Sequence, residues 1–367
     1  MRTLSYVRLP EVLMPVVLTD RASDSLSPAH PPPIPPVRPD AAHAWRGIAA
    51  RYHTRRAASG LIQLALTLIP LVALLTVMYR ATDRHPVVAL LVAPIAAGFL
   101  LRTFVIMHDC AHGSFLPSRG LNDFVGFITG VLTLTPFGQW RRDHALHHAA
   151  SGDLDRRGHG DVRTLTVREY RELTPRERLK YRLFRNPLVM FGLGPLYIVV
   201  NSRRLPQGAS KGPKGDASVH ATNATLLLAT LALVAFFGVR ALLLVYLPVF
   251  FLAGAAGIWL FYVQHQFEDT YWAGHREWDY ATAALYGSSY YRLPRLLAWV
   301  TGNIGVHHVH HFDPRIASFN LGKCYRENPE FQCGPVLGFR QSFRTISLKL
   351  WDEEGRRMTG FDDVLVH

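Results

Sequence analysis

The stretch VVALLVAPIAAGFLLRTFVIMHDCAH, residues 87–112, decides the fold class. Residues 87–107 are apolar except for Arg102 and Thr103. A bilayer crossing takes roughly 20 helical residues, so this run is long enough to span one. The run ends in His108 and His112, four apart and therefore on one face of the emerging helix. A membrane helix thus delivers two metal-ligand candidates to its end.

Outward from this stretch, residues 61–79 form another apolar run. A short link carrying Arg80, Asp83, Arg84, His85 and Pro86 joins the two, so they read as a helical hairpin. A second pair, 221–239 and 241–263, meets at Arg240. Four crossings in two hairpins put residues 1–60, 108–220 and 264–367 on one side. Residues 140–215 carry 16 Lys and Arg, against Arg80, Arg84 and Arg240 in the two links. The positive-inside rule makes that side cytoplasmic. The expected location is the cytoplasmic membrane, with active site and termini facing the cytoplasm.

Runs 124–137 and 188–200 are short and contain Gly and Pro. They read as interfacial helices, with 189–194 alternatively a buried turn. The expected fold class is all-α integral membrane: four transmembrane helices in two hairpins, interfacial helices and a helical cytoplasmic cap. Residues 22–40, with the prolines of 31–36, are Ser/Pro/Asp-rich. Residues 1–45 therefore read as a disordered arm, 46–350 as the main domain and 351–367 as a tail.

Bulk composition agrees. Of 367 residues, 49% are hydrophobic and 18% charged, yet the net charge is +13. Basic and apolar blocks must be segregated, as in a membrane protein; a nucleic-acid binder would not place its basic segments beside long apolar runs. The apolar stretch 9–18 is broken by Pro10, Glu11 and Pro15, unlike a signal peptide. Three cysteines, Cys110, Cys324 and Cys333, form no CxxC pair, so metal chemistry falls to the 18 histidines.

Those histidines cluster: HDCAH at 108–112, HALHH at 144–148, HHVHH at 307–311, and His265 at the end of the last run. Helical spacing groups His108 with His112, His144 with His147 and His148, and His307 with His310 and His311. His308 lies about a quarter turn off, since each residue advances roughly 100°. It is open as a ligand, a donor to a ligand or a packing residue. Imidazole suits Fe, Zn, Cu and Ni. Nine histidines exceed the four positions of one zinc ion and match two metals. His159, His220 and His275 lack such context and read as surface residues. A metal transporter would need ionisable residues at mid-membrane, and the runs hold only Arg102, near one end.

These motifs resemble the three histidine boxes of the membrane fatty acid desaturases, HxxxH, HxxHH and HxxHH. The strings HDCAHGSF (108–115), DHALHHAASGDLDRRGHGD (143–161), YRLFRNPLVMFGLGPLY (181–197) and GNIGVHHVHHFDPRI (302–316) are similar to the Δ12/ω6-type acyl-lipid branch, including bacterial members. The likeness spans about residues 50–350. It implies a di-iron site held by His108, His112, His144, His147, His148, His265, His307, His310 and His311. It also implies O2 as co-substrate, a fatty acyl lipid substrate, and a cis double bond as product. Acyl-CoA desaturases of the family place an asparagine, holding a metal-bound water, four residues before the residue matched by His265. Here that position is Phe261, and Asn303 is the substitute considered. Abstracting hydrogen from an unactivated methylene needs an oxidant that side chains cannot supply; the protein supplies geometry.

Outer residues that could orient the ligand rings are His308, Asp109, Asp143, Asp153, Asp155, Glu268 and Asp313. Trp140, Trp259, Tyr262 and Phe267 are candidates for an acyl tunnel, and Arg156 and Arg157 for headgroup or donor contact. No HPGG cytochrome b5 signature or ferredoxin cysteine pattern occurs. A separate ferredoxin-like or cytochrome b5-like donor is expected. A lipid hydroxylase, ketolase or epoxygenase on the same scaffold is the alternative activity.

Overall fold

The structure, a computed structural model, describes residues 34–54, 56–159, 162–206 and 212–365. The arm read over 1–45 lies outside these residues as far as position 33. Its end does not: α1 (Pro39–Ala49) is helical, and Trp45 packs its ring 6.4 Å from Phe312 and 6.5 Å from Phe331.

α2 (Ala57–Ala81) and α3 (Pro86–Ala111) are the first two apolar runs, folded against each other. Pro86 opens α3 at the helix start, where its missing N–H costs nothing. Gly60 allows α2 to approach the chain after α3: a β-carbon there would sit 2.7 Å from the Phe115 carbonyl oxygen. α2 turns Leu61, Ile62, Ile69 and Val72 outward, and α3 does the same with Val87 and Leu91. Such exposed aliphatic faces on long helices are those of lipid-facing spans. α4 (Arg119–Leu132) and α5 (Phe137–Ala150) follow.

The second pair of apolar runs departs from the reading above. α9 (Pro213–Ala241) and α10 (Leu247–His265) are linked by a π-helical turn, 242–246, with no loop. The break falls at Gly238 (φ 76°, ψ 162°), two residues before Arg240; the positive φ is one that glycine adopts without steric cost. By length and apolarity, residues 57–81, 86–111 and 216–265 are the membrane-length helices among the described residues. Upstream, α6 (Val167–Glu172) and α7 (Pro175–Phe184) each start with a threonine capping box. Residues 188–200, read as interfacial, form π-helical turns around α8 (Gly194–Tyr197) and bend 58° from α7.

The cap after α10 is not wholly helical. α11 (Tyr280–Tyr286), α12 (Arg295–Val300), α13 (His307–Phe312), α14 (Ser318–Glu327), α15 (Phe339–Ser342) and α16 (Asp362–Leu365) alternate with strands. β1 (Leu165–Thr166) pairs in parallel with β4 (Leu350–Asp352), which pairs antiparallel with β5 (Arg357–Thr359). β2 (Tyr290–Arg292) and β3 (Val336–Gly338) form a second, parallel pair. The fold is mostly helical and the all-α reading is corrected to that extent. Strands of two or three residues are too short to show alternation in sequence. The stretch read as a tail includes most of β4 and all of β5.

Candidate metal centre

Four elements converge at one end of the helices. α3 carries His108 in its last turn and His112 at its C-cap. α5 carries His144, His147 and His148, α10 ends on His265, and α13 carries His307, His310 and His311. The turn before α13 uses Gly302 (φ 62°) and Asn303 (φ 61°). At Gly305 a β-carbon would lie 2.5 Å from the Tyr291 carbonyl oxygen, so β2 can press against the histidine helix.

The nine histidines sort into two groups. His108, His112, His144, His148 and His310 form one; His147, His265, His307 and His311 form the other. Within each group the ligand nitrogens lie within 4.8 Å of one another. Two helices feed both groups. On α5, His144 and His148 turn one way and His147 the other; on α13, His310 is separated from His307 and His311. The simple reading that each box projects as one face is corrected here: adjacent positions differ by roughly 100°, enough to straddle two centres.

The nitrogens fit metal coordination. His148 Nε2 is 3.1 Å from both His144 Nε2 and His310 Nε2. His307 Nε2 is 3.1 Å from His265 Nε2 and 3.2 Å from His311 Nε2. A single proton cannot satisfy three converging nitrogens. Two imidazoles at right angles on a metal about 2.1 Å away are separated by about 3 Å. His108 Nε2 and His112 Nε2 are buried without a hydrogen-bond partner. Burial, reinforced by neighbouring histidines, lowers the pKa of His112, His144, His148, His307, His310 and His311 well below the ordinary value. It holds them neutral, the form that binds metal.

The outer residues divide. Asp109 Oδ1 accepts from His108 Nδ1 at 3.2 Å while its Oδ2 accepts the Ser318 N–H at 2.8 Å. His265 Nδ1 faces the Gly287 carbonyl oxygen at 3.3 Å, leaving Nε2 for the metal side. His308 joins neither group: its Nε2 bonds the Phe331 carbonyl oxygen at 2.8 Å, and burial lowers its pKa to about 4. Asp313 engages His53 (3.0 Å) and Arg315, not a box histidine. Asp153, fully buried, accepts from Arg156 (2.6 Å) and His275 Nδ1 (2.8 Å), while Asp155 Oδ2 accepts the His275 N–H. Arg157 pairs with Glu169. Asp153 and Asp155 therefore hold the loop after α5 to the segment after α10 through His275, while Arg157 ties that loop to α6. Glu268 is exposed, and its carbonyl accepts from Met358. Asn303 lies beside Gly322. Asp143 sits on α5 one residue before His144.

Of the aromatic candidates, Trp140 stacks on His144 at 4.3 Å. Trp259 donates to Tyr291, and Tyr262 donates to the Thr345 and Leu348 carbonyls. Phe267 is buried. A small cavity of about 10 Å³, room for about one water, opens against His265. Its wall includes Phe261, Gln266, Tyr271, Trp272 and Gly152, but none of the four aromatic residues chosen from sequence. Phe261 also packs 5.1 Å from both His147 and His265. Trp272 and Gln266 carry no motif, and nothing in the sequence marks them.

An apolar helical frame thus encloses two histidine nests, each suited to a metal ion: the arrangement of a membrane metalloenzyme. The family model "Fatty acid desaturase" matches residues 85–342. A fatty acid desaturase of Bacillus subtilis is 42% identical over 304 residues, covering 83% of this chain and 86% of that one. An sn-1 acyl-lipid omega-3 desaturase (ferredoxin) of Synechocystis is 28% identical, covering 68% and 67%. An endoplasmic-reticulum omega-3 fatty acid desaturase of Vigna radiata is 28% identical, covering 61% and 63%. The chain belongs to the fatty acid desaturase family and is a membrane enzyme of that family.

Proposed function

We propose that this enzyme introduces a cis double bond into the acyl chain of a membrane lipid, using two irons held by the nine histidines. The observation that carries this is the division of those histidines into groups of five and four. Nitrogen-only sites of this kind suit iron, and their number exceeds what one zinc ion binds. When bound, the irons and O2 supply the oxidant that takes one hydrogen from each of two adjacent methylenes. With two electrons and two protons, O2 leaves as two waters.

The chain's own residues do the rest. Asp109 and the Gly287 carbonyl fix ring tautomers so that Nε2 faces inward. Phe261, packed against His147 and His265, presents an apolar face to substrate methylenes beside the second group. Phe261 offers no hydrogen bond, so no water is held there as an asparagine would hold one.

Four crossings remain the reading. A helix over 216–265 would be about 75 Å long, far more than one hydrocarbon core of about 30 Å. Gly238 divides it into two lengths each near one bilayer. The histidines then face the cytoplasm. A Δ12/ω6-type position follows from the box strings, and a separate ferredoxin-like or cytochrome b5-like protein delivers electrons. The Synechocystis relative's name supports an acyl-lipid substrate and a ferredoxin. A methyl-end omega-3 position is the second reading, because several relatives carry that name.

Expression in cells with a defined pool of saturated and monounsaturated fatty acids, followed by gas chromatography–mass spectrometry with double-bond location, tests this. New monoenes or dienes are expected. A hydroxy or keto product without a new double bond would refute desaturation.

A further inference from the structure

The short helix α12 and the turn after β3 take no part in the metal centre. On α12, Leu296 is 71% exposed and Leu297 and Trp299 are open as well. Through the β2–β3 pairing they adjoin Val336, Phe339 and Phe343, whose side chains are also exposed.

Contacts fix the depth of this lip. The Trp299 ring lies 6.0 Å from Phe99 and 4.5 Å from the Arg102 guanidinium. On α3 those residues precede His108 by nine and six positions, about 9–14 Å down the helix. Phe343 lies 5.4 Å from Trp259, which precedes His265 on α10 by about 9 Å. Two membrane helices thus independently place the lip on their apolar side of the histidines.

Arg102 fits that depth. It donates to the Trp299 carbonyl at the end of α12, to Thr67 Oγ1 at 3.0 Å and to Gln63 Oε1 at 2.5 Å. A short helix out of reach of water leaves its last carbonyls without donors, and a neighbouring span must supply them. Arg102 caps α12 in this way.

Charge completes the surface. Arg292, Arg295, Arg340 and Arg344 are all exposed, and no described ion pair includes them. Residues 290–300 and 336–350 contain no Asp or Glu. Long basic side chains beside apolar ones reach from the hydrocarbon edge to the headgroups, and guanidinium pairs well with phosphate.

We propose that this lip is immersed in the bilayer face and that its four arginines bind the phosphates of anionic phospholipids. The partner is the bilayer, because the exposed leucines and phenylalanines lie level with the membrane helices. This inference needs the chain to be a membrane protein but not any particular acyl substrate, so it stands or falls apart from the desaturation assay.

The test uses the full-length protein with Cys333→Ser in phosphatidylcholine nanodiscs with and without phosphatidylglycerol. Spin labels go on Leu296→Cys and Phe339→Cys, with Leu91→Cys on the outer face of α3 and Glu354→Cys on the cap as references. Power saturation compares collision with O2 and with a water-soluble nickel chelate. Labels at 296 and 339 should match 91, favouring O2; labels matching 354 would overturn immersion. The double variant Arg295→Gln/Arg340→Gln should retain phosphatidylglycerol through detergent extraction less well, by on the order of ten-fold relative to phosphatidylcholine. Unchanged retention would overturn the phosphate contact. Since these side chains are exposed, misfolding does not obscure either result.

Discussion

His148 and His310, 162 residues apart in the chain, bring their Nε2 atoms to 3.1 Å. The contact joins the second and third boxes across one histidine group. His310→Ala should therefore strip most of the metal from that group. His308→Ala, two residues away, should keep the wild-type metal content. It should instead lower thermal stability by about 1–3 kcal/mol, because the buried Phe331 carbonyl loses its partner. Elemental analysis and a melting curve on each purified variant check the contrast.

Asp109 orients His108 and is itself held by the Ser318 N–H. Asp109→Asn keeps the shape but weakens the acceptor. Metal affinity should fall about 10–100-fold, as for other carboxylate–histidine pairs. Competition with a graded chelator measures it.

The chemistry was legible in the sequence further than the architecture was. Intervals of three and four residues made the boxes visible, because a helix turns such spacings into shared faces. The division into five and four was not legible. It depends on how α5 and α13 pass between two centres, which is long-range packing. His308 shows the same limit, since only the Phe331 carbonyl, 23 residues on, decides its side. β2 and β3 were hidden by their length, and Gly238 by lying inside an otherwise uniform apolar run. Arg102 was visible as an ionisable residue near the end of a span, but its partner, the Trp299 carbonyl, was not.

Phe261 touches two histidines of the second group and lines the cavity. Phe261→Ala opens space beside His147 and His265, where the proposed substrate methylenes lie. Turnover should fall about ten-fold or more as near-attack geometry loosens. Product should spread over neighbouring double-bond positions. Double-bond location by mass spectrometry detects the spread.

Asp153 ties the loop after α5 to the segment after α10. Burial would raise its pKa, but hydrogen bonds from Arg156, His275 and the Asp155 N–H outweigh this and leave it lowered. A lowered carboxyl pKa means a stabilising contribution that is fully present above the unfolded value of about 3.9. It is lost as pH falls through the folded value. Asp153→Asn should therefore lower the melting temperature at neutral pH, with the gap from wild type closing on acidification below about pH 4. Melting curves across that range decide it.

Two iron ions held by nine histidines fix the metal content that each chain must carry. The most direct measurement is iron per chain in protein purified from iron-replete cells, by inductively coupled plasma mass spectrometry against amino-acid analysis. Two irons per chain are expected, falling sharply in both His310→Ala and His265→Ala, one from each group. One metal or fewer in active protein, or zinc in place of iron, would rule out a di-iron centre.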